Sequence, residues 1–177
     1  APLPDGFRET IGKRYREAFS TRLQIIDGVH DLLSSLDCPV AVASGSSPEG
    51  LAVKLAQVEI AAFFGEHVYS SHQVERGKPA PDLLNLALGD ADRDRAVLVG
   101  DSRTDMVAAC RAGVLAVLVT SSHHGVACAA ELAEAPTPAV IDGGAPGGLL
   151  REGASVAAVF PGLPQALAAI RAHASLN

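Results

Sequence analysis

The sequence predicts an α/β fold, a doubly wound parallel sheet with helices on both faces. Short valine-rich apolar runs, such as 39–43 and 96–99, are bounded by polar residues, which is typical of strands buried on both faces. Segments with helical patterns follow these runs, and strands that alternate with helices form parallel sheets. A chain of 177 residues is long enough for one domain with a sizeable core.

The predicted elements follow one another along the chain. In the first segment, 4–20, apolar side chains recur every four residues, which predicts one stripe of a helix. The expected elements after it are helix 28–36, strand 39–43, helix 48–55, strand 67–70, helix 83–88, strand 96–99, helix 104–112, strand 114–119, helix 127–135, strand 139–141, strand 156–160 and helix 163–173.

Composition limits the classes of partner. The formal net charge is -6 and no basic stripe is present, so we expect neither nucleic acid nor an anionic membrane as a partner. No apolar run reaches the length of a membrane span, and the first residues lack a signal-peptide pattern. The three cysteines lack metal-ligand spacing, and their apolar surroundings predict buried thiols in a reducing cytoplasm.

Two carboxylates follow the strand at 96–99. Asp101 is expected at the carboxyl end of that strand, which is the edge where open α/β sheets bind ligands. Asp105 lies four residues further on, at the start of a helix, so both carboxylates can face one small volume. Mg²⁺ together with a phosphate is the common partner of such a pair. The alternative is that the two carboxylates only cap the helix.

Two further polar side chains are expected at the same edge. Ser44 and Gly45 follow the strand at 39–43, where a hydroxyl and backbone N–H groups can form a phosphate cradle. An ordinary N-cap is the alternative for Ser44. Lys78 lies in a loop that two prolines hold extended, and a stiffly held ammonium is a good point charge for a phosphate.

In order and separation, these residues resemble the second, third and fourth motifs of the haloacid dehalogenase (HAD) superfamily. The motifs are Ser44, Lys78, and Asp101 with Asp105, and the resemblance runs over about residues 23–119. They are most similar to the phosphatase group that includes phosphoglycolate phosphatases and β-phosphoglucomutases.

The resemblance implies an architecture. Residues 23–177 would form the Rossmann-like α/β core, and residues 1–22 would be a remnant of a helical cap at the N-terminus. The Gly-rich segment 126–148 departs from the compact ending of that group, and we interpret it as an insertion.

The resemblance also implies a reaction, the Mg²⁺-dependent hydrolysis of a small phosphorylated metabolite through an aspartyl-phosphate. Asp101 would bind Mg²⁺, and Asp105 would bind it directly or through water. Ser44 and the Gly45 amide would hold phosphate oxygens, and Lys78 would bridge phosphate and nucleophile.

One motif of the superfamily is not found in the 177 residues. It is a strand followed by Asp-x-Asp-Gly-Thr, which supplies the nucleophile. In the superfamily this strand lies between the strands that end at Ser44 and Asp101. We therefore expect either a gap or direct pairing of those two strands, and unpaired edges favour association into a homo-oligomer.

Three interpretations follow for the missing motif: a piece of a phosphatase, a truncated product completed by another chain, or a binding or regulatory module without turnover. Two other classes fit less well. In a receiver-type signalling domain the acidic residues come early in the chain and the lysine comes late. Here the order is reversed, because Lys78 precedes Asp101. A dehalogenase on this fold does not need Asp101 as a metal ligand.

Overall fold

The structure is a computed structural model that describes residue 4 and residues 6–119, 156–160 and 166. The predictions at 127–135 and 139–141, and nearly all of the helix at 163–173, lie outside the described residues. The described elements, in chain order, are α1 (Phe7–Arg22), α2 (Val29–Ser34), β1 (Val42–Ser44), α3 (Pro48–Gln57), α4 (Ala61–Phe64), β2 (Val68–Ser70), α5 (Asp82–Leu88), β3 (Val97–Gly100), α6 (Arg103–Ala112), β4 (Leu115–Val119) and β5 (Val156–Phe160), with single 3-10 turns at Ser71–Gln73 and Arg93–Arg95.

All strand pairings among these elements are parallel, which confirms the predicted α/β class. Strand β1 pairs with β2, and β3, β4 and β5 form a second sheet in that order. Within the described residues β1 and β3 do not pair with each other. Of the two arrangements expected from the sequence, direct pairing of these strands is therefore not found in the described part of the chain.

The strand with two strand partners is more deeply buried than β1 and β3, which have one each in the described residues. Strand β4 lies between two partners and is almost completely buried, whereas β1 and β3 are only half-buried and Val99 is 37% exposed. The prediction of strands buried on both faces is therefore right for β4 and wrong for β1 and β3. Their apolar sequences are typical of a sheet interior, but each has one strand neighbour in the described part of the chain.

Helices hold the two sheets together. On α6, Ala108 and Ala109 are fully buried against β4, and Ala43 of β1 packs against the same cluster. Val29 of α2 packs against the buried side chains of β4 and also against those of α3. The sheets thus share apolar contacts through the helices although no strand pairing joins them in the described residues.

Two smaller expectations have separate outcomes. Gly113 ends α6 in the left-handed conformation (φ 71°), as the sequence predicts. The expectation of buried thiols is wrong for Cys38, which is exposed before β1, Cys110 is half-buried, and Cys128 lies outside the described residues. In the described part of the chain, no helix has the length and apolar character needed to cross a bilayer.

Helix α5 offers a matched test of this packing, because Leu83 is fully buried on it and Leu86 is 41% exposed. We expect Leu83→Ala to lower the free energy of unfolding by about 3 kcal/mol, since it leaves a cavity. Leu86→Ala should lower it by less than about 1 kcal/mol. Urea unfolding monitored by circular dichroism measures both, and equal losses would contradict the described orientation of α5.

Candidate functional site

A lysine joins the two sheets at the carboxyl ends of β1 and β3. The Nζ atom of Lys78 donates a hydrogen bond to the carbonyl oxygen of Ala43 (3.0 Å) and forms an ion pair with Oδ1 of Asp105. The side chains of Lys78 and Asp105 are only 16% and 11% exposed. Ala43 precedes Ser44, so three of the predicted site residues lie at one place.

Asp105 has two roles at once. Its Oδ2 accepts hydrogen bonds from the backbone N–H (3.2 Å) and the hydroxyl of Ser102, and the backbone N–H of Asp105 donates to Ser102 Oγ (3.2 Å). This reciprocal arrangement is a capping box at the start of α6. Asp105 therefore does take part in capping the helix, and because the same carboxylate also holds Lys78, capping is not its only contact. The sequence reasoning missed Ser102, although serine three residues before an acid is the signal of such a box.

Gly100 makes this placement of Asp105 sterically feasible. A Cβ atom at position 100 would lie 2.7 Å from the Cβ and 2.9 Å from the Cγ of Asp105, closer than real Cβ atoms come to other atoms. Only glycine at the end of β3 lets the carboxylate fold back beside the strand.

Ser44 lies at the end of β1 in a loop that other hydroxyl groups hold. The Ser46 N–H donates to Ser44 Oγ (3.2 Å), so the Ser44 hydroxyl accepts there and keeps its own hydrogen for another acceptor. Ser70 Oγ donates to the Ser46 carbonyl (2.6 Å), and Ser71 Oγ donates to the Gly45 carbonyl (3.2 Å). Sequence reasoning missed both serines, whose only signal is their position at the end of the strand at 67–70.

The N-cap of α3 is a different serine. Ser47 Oγ accepts from the Gly50 N–H (3.2 Å), with Pro48 in the first turn. The N-cap alternative proposed for Ser44 is therefore wrong, and the Ser44 hydroxyl is not used to start the helix.

The loop that carries Lys78 is fixed by charged side chains as well as by its prolines. The Arg76 guanidinium donates two hydrogen bonds of 3.0 Å to the carboxylate of Asp82, the first residue of α5. Arg111, on the last turn of α6, donates to the Pro79 carbonyl (3.0 Å). The loop that the prolines were predicted to stiffen is thus also held by these two arginine contacts, which the sequence reasoning did not identify.

The expected metal ligands lie at the same edge. Asp101 follows β3 directly and is half-buried, and Asp105 stands in the first turn of α6. No group of three or more His, Cys, Asp or Glu side chains in the described ranges could hold a metal ion without other ligands. Mg²⁺ is commonly bound by one or two carboxylates, with water and substrate phosphate completing its shell. The chemistry of the two carboxylates therefore fits Mg²⁺.

The sequence profile described as haloacid dehalogenase-like hydrolase matches residues 3–119, about two-thirds of the chain. The chain therefore belongs to this family of hydrolases, and the resemblance inferred from the three motifs is confirmed.

Individual relatives agree with this family. A phosphonoacetaldehyde hydrolase from Latilactobacillus sakei is 34% identical over 87 residues, which are 47% of this chain and 33% of the relative. The match thus spans only about a third of that relative.

Two solved structures are similar over nearly the whole chain. A haloacid dehalogenase-like protein of unknown function from Agrobacterium tumefaciens has a TM-score of 0.77 at 26% identity, covering 98% of this chain and 72% of its own. A HAD family hydrolase from Deinococcus radiodurans, with bound phosphate and sodium, has a TM-score of 0.71 at 26% identity, covering 99% and 71%.

The contact between Lys78 and Asp105 can be tested by a double-mutant cycle. Lys78→Met leaves a nearly buried carboxylate without its cation, so we expect a loss of about 3 kcal/mol in the free energy of unfolding. Because Asp105→Asn removes the same contact, the double variant should lose clearly less than the sum of the two single variants. The measurement is urea unfolding of the four proteins.

Lys13→Met is the control, since Lys13 pairs with Glu17 in a pair whose side chains are 75% and 64% exposed. Its effect should stay within about 0.5 kcal/mol. Additive losses for Lys78 and Asp105 would show that the two side chains do not interact.

Proposed function

We propose that this protein is part of a Mg²⁺-dependent phosphohydrolase that acts on a small phosphorylated metabolite through an aspartyl-phosphate. The observation that supports this most directly is the Lys78 ammonium, held between the end of β1 and Asp105. It brings a cation, a hydroxyl and carboxylates to the edge where α/β sheets bind phosphate groups.

Ser44, Gly45 and Lys78 have defined roles in this proposal. The Ser44 hydroxyl keeps its hydrogen for a phosphate oxygen because it accepts from Ser46. The Gly45 N–H donates to a second phosphate oxygen, and Lys78 stabilises the negative charge of the transferring group and of the attacking carboxylate. Asp105 and Ala43 keep the Lys78 side chain in place, so that little reorganisation is needed when substrate binds.

Asp101 and Asp105 would hold Mg²⁺, and the bound ion would supply positive charge that neutralises the phosphoryl oxygens. The Ser102 hydroxyl and N–H orient the Asp105 carboxylate, and Gly100 gives it room. In this proposal the chain's own residues hold Asp105, one of the two ligands, in place before any ion binds.

The attacking carboxylate is proposed to come from a strand outside these 177 residues. Strands β1 and β3 are half-buried and not paired with each other in the described part of the chain, and the proposal places one further parallel strand between them. The solved structures extend beyond the matched region, since this chain covers 71–72% of them. An aspartate on that strand would bond to phosphorus as the ester oxygen leaves, and water would then release phosphate from the acyl phosphate.

A binding or regulatory module is the second candidate. It would keep Ser44, Lys78 and the two carboxylates but carry out no turnover, and the lack of a strand followed by Asp-x-Asp-Gly-Thr within the 177 residues favours it. Association into a homo-oligomer through the strand edges is proposed for either candidate. The cytoplasmic location and the exclusion of nucleic acid and membrane partners stay predictions.

Calorimetric titration with inorganic phosphate, with and without Mg²⁺, tests the site. We expect Mg²⁺ to tighten phosphate binding by about tenfold or more, equivalent to about 1.4 kcal/mol. Asp101→Asn should abolish this gain because it removes a charged ligand. Asp90→Asn, an exposed acid in the turn before β3, is the matched control and should keep the gain. An unchanged gain in Asp101→Asn would overturn the assignment of Asp101.

Phosphate release from a panel of small phosphomonoesters, measured on the same proteins, tests for turnover. Release that is lost in Asp101→Asn supports the phosphohydrolase and requires an attacking carboxylate available to this chain. Binding without release is expected of these 177 residues under either candidate, so the same assay on a chain extended by the proposed strand separates them: release there supports the phosphohydrolase, and binding without release supports the binding module.

A further inference from the structure

A second lysine lies beside the phosphate loop, and the proposed reaction does not use it. Lys54 projects from α3, and its Nζ donates a hydrogen bond to the hydroxyl of Ser46 (2.9 Å). Ser46 belongs to the same loop as Ser44 and Gly45. The Lys54 ammonium also lies 4.4 Å from the centre of the Phe19 ring on α1.

Lys54 differs from the other two lysines because no carboxylate in the described ranges forms an ion pair with it. The chain has three lysines, and two of them are ion-paired, Lys13 with Glu17 and Lys78 with Asp105. Within the described ranges Lys54 is half-buried and has a hydroxyl and an aromatic ring as its partners, and no carboxylate. An ammonium has three N–H donors, so the bond to Ser46 leaves further donors for a ligand.

Both Ser46 and Lys54 have donors beyond the hydrogen bond that joins them. Because the Ser46 hydroxyl accepts from Lys54, its own hydrogen is left to donate elsewhere. The other polar atoms of Ser46 are used inside the loop, since its N–H donates to Ser44 Oγ and its carbonyl accepts from Ser70. A cation and a hydroxyl hydrogen side by side, without a neutralising acid, suit an anionic group.

A purely structural role is the competing explanation. The contact with Phe19 connects α1 to α3, and a cation over an aromatic ring contributes about 0.5–1 kcal/mol at an exposed site. Such a connection accounts for the position of the Lys54 stem. It does not account for the hydrogen bond from the ammonium to Ser46, in the loop that holds Ser44, with no carboxylate partner for Lys54 in the described residues.

We propose that Lys54, with the Ser46 hydroxyl, binds a second anionic group of the substrate, a carboxylate or a phosphate. This proposal rests on the proposed function, in which Ser44, Gly45 and Lys78 hold the phosphate that is transferred. It narrows the substrate class to phosphorylated metabolites that carry two anionic groups, and it makes Lys54 a specificity-determining residue.

The test compares three ligands that differ at one end of the molecule. Glycerol 3-phosphate has a neutral end, 3-phosphoglycerate has a carboxylate there, and glycerol 1,3-bisphosphate has a second phosphate. We expect the wild-type protein with Mg²⁺ to bind 3-phosphoglycerate or glycerol 1,3-bisphosphate, or both, about tenfold more tightly than glycerol 3-phosphate. This difference is about 1.4 kcal/mol in binding free energy. The ligand with the larger preference identifies the second group. Isothermal titration calorimetry gives all three dissociation constants.

Variants assign the preference to the charge of Lys54. Lys54→Gln should reduce the preference to less than about threefold while the affinity for glycerol 3-phosphate changes little, and Lys54→Arg should keep most of the preference. Lys13→Gln, which removes an exposed lysine of α1, is the matched control and should behave as the wild type. A structural role alone would lower the melting temperature of Lys54→Gln and leave the preference unchanged.

The outcomes separate this proposal from the one on which it rests. If the wild-type protein binds inorganic phosphate and glycerol 3-phosphate but shows no preference among the three ligands, the second anion subsite is wrong and the proposed function stands. The same conclusion follows if the preference persists in Lys54→Gln. If the wild-type protein binds neither phosphate nor any of the three esters, both proposals are wrong.

Discussion

The contact between the Lys78 ammonium and the Asp105 carboxylate is the interaction on which the site depends. Strand pairing does not connect the two sheets in the described residues, so the relative position of their carboxyl ends rests on helix packing and on this bridge. Both side chains are nearly buried, and a buried charge without its partner is strongly destabilising. A folded protein therefore keeps a cation and an anion at the place where we propose that phosphate and a metal ion bind.

Much of the site could be predicted because strand ends are visible in the sequence. Ser44 and Asp101 each follow a short apolar run, and a parallel sheet brings the ends of such runs to one edge. Lys78 could be predicted from its prolines, which hold the loop extended. None of these inferences needed the tertiary contacts of the side chains.

The rest depended on contacts between distant residues. Asp105 was predicted as a metal ligand or a cap, but its pairing with Lys78 depends on how the loop at 77–82 meets α6, which no local pattern encodes. Burial of β1 and β3 was overestimated because an apolar run does not show whether a neighbouring strand is present. Composition does not reveal the exposure of Cys38 either. The contacts of Lys54 likewise join α1, α3 and the loop after β1, which are distant in sequence.

Helix α6 contacts the lysine loop at both of its ends. Its first turn supplies Asp105 to Lys78, and its last turn supplies Arg111 to the carbonyl of the adjacent Pro79. Arg111 lies six positions after Asp105, a rise of about 9 Å, and each residue of a helix turns the chain by about 100°. A one-residue insertion between them would swing one of the two side chains away from the loop. The spacing of the two contacts thus constrains the number of residues in this helix, so an insertion or deletion should disturb the lysine loop even where the buried face with Ala108 and Ala109 is kept.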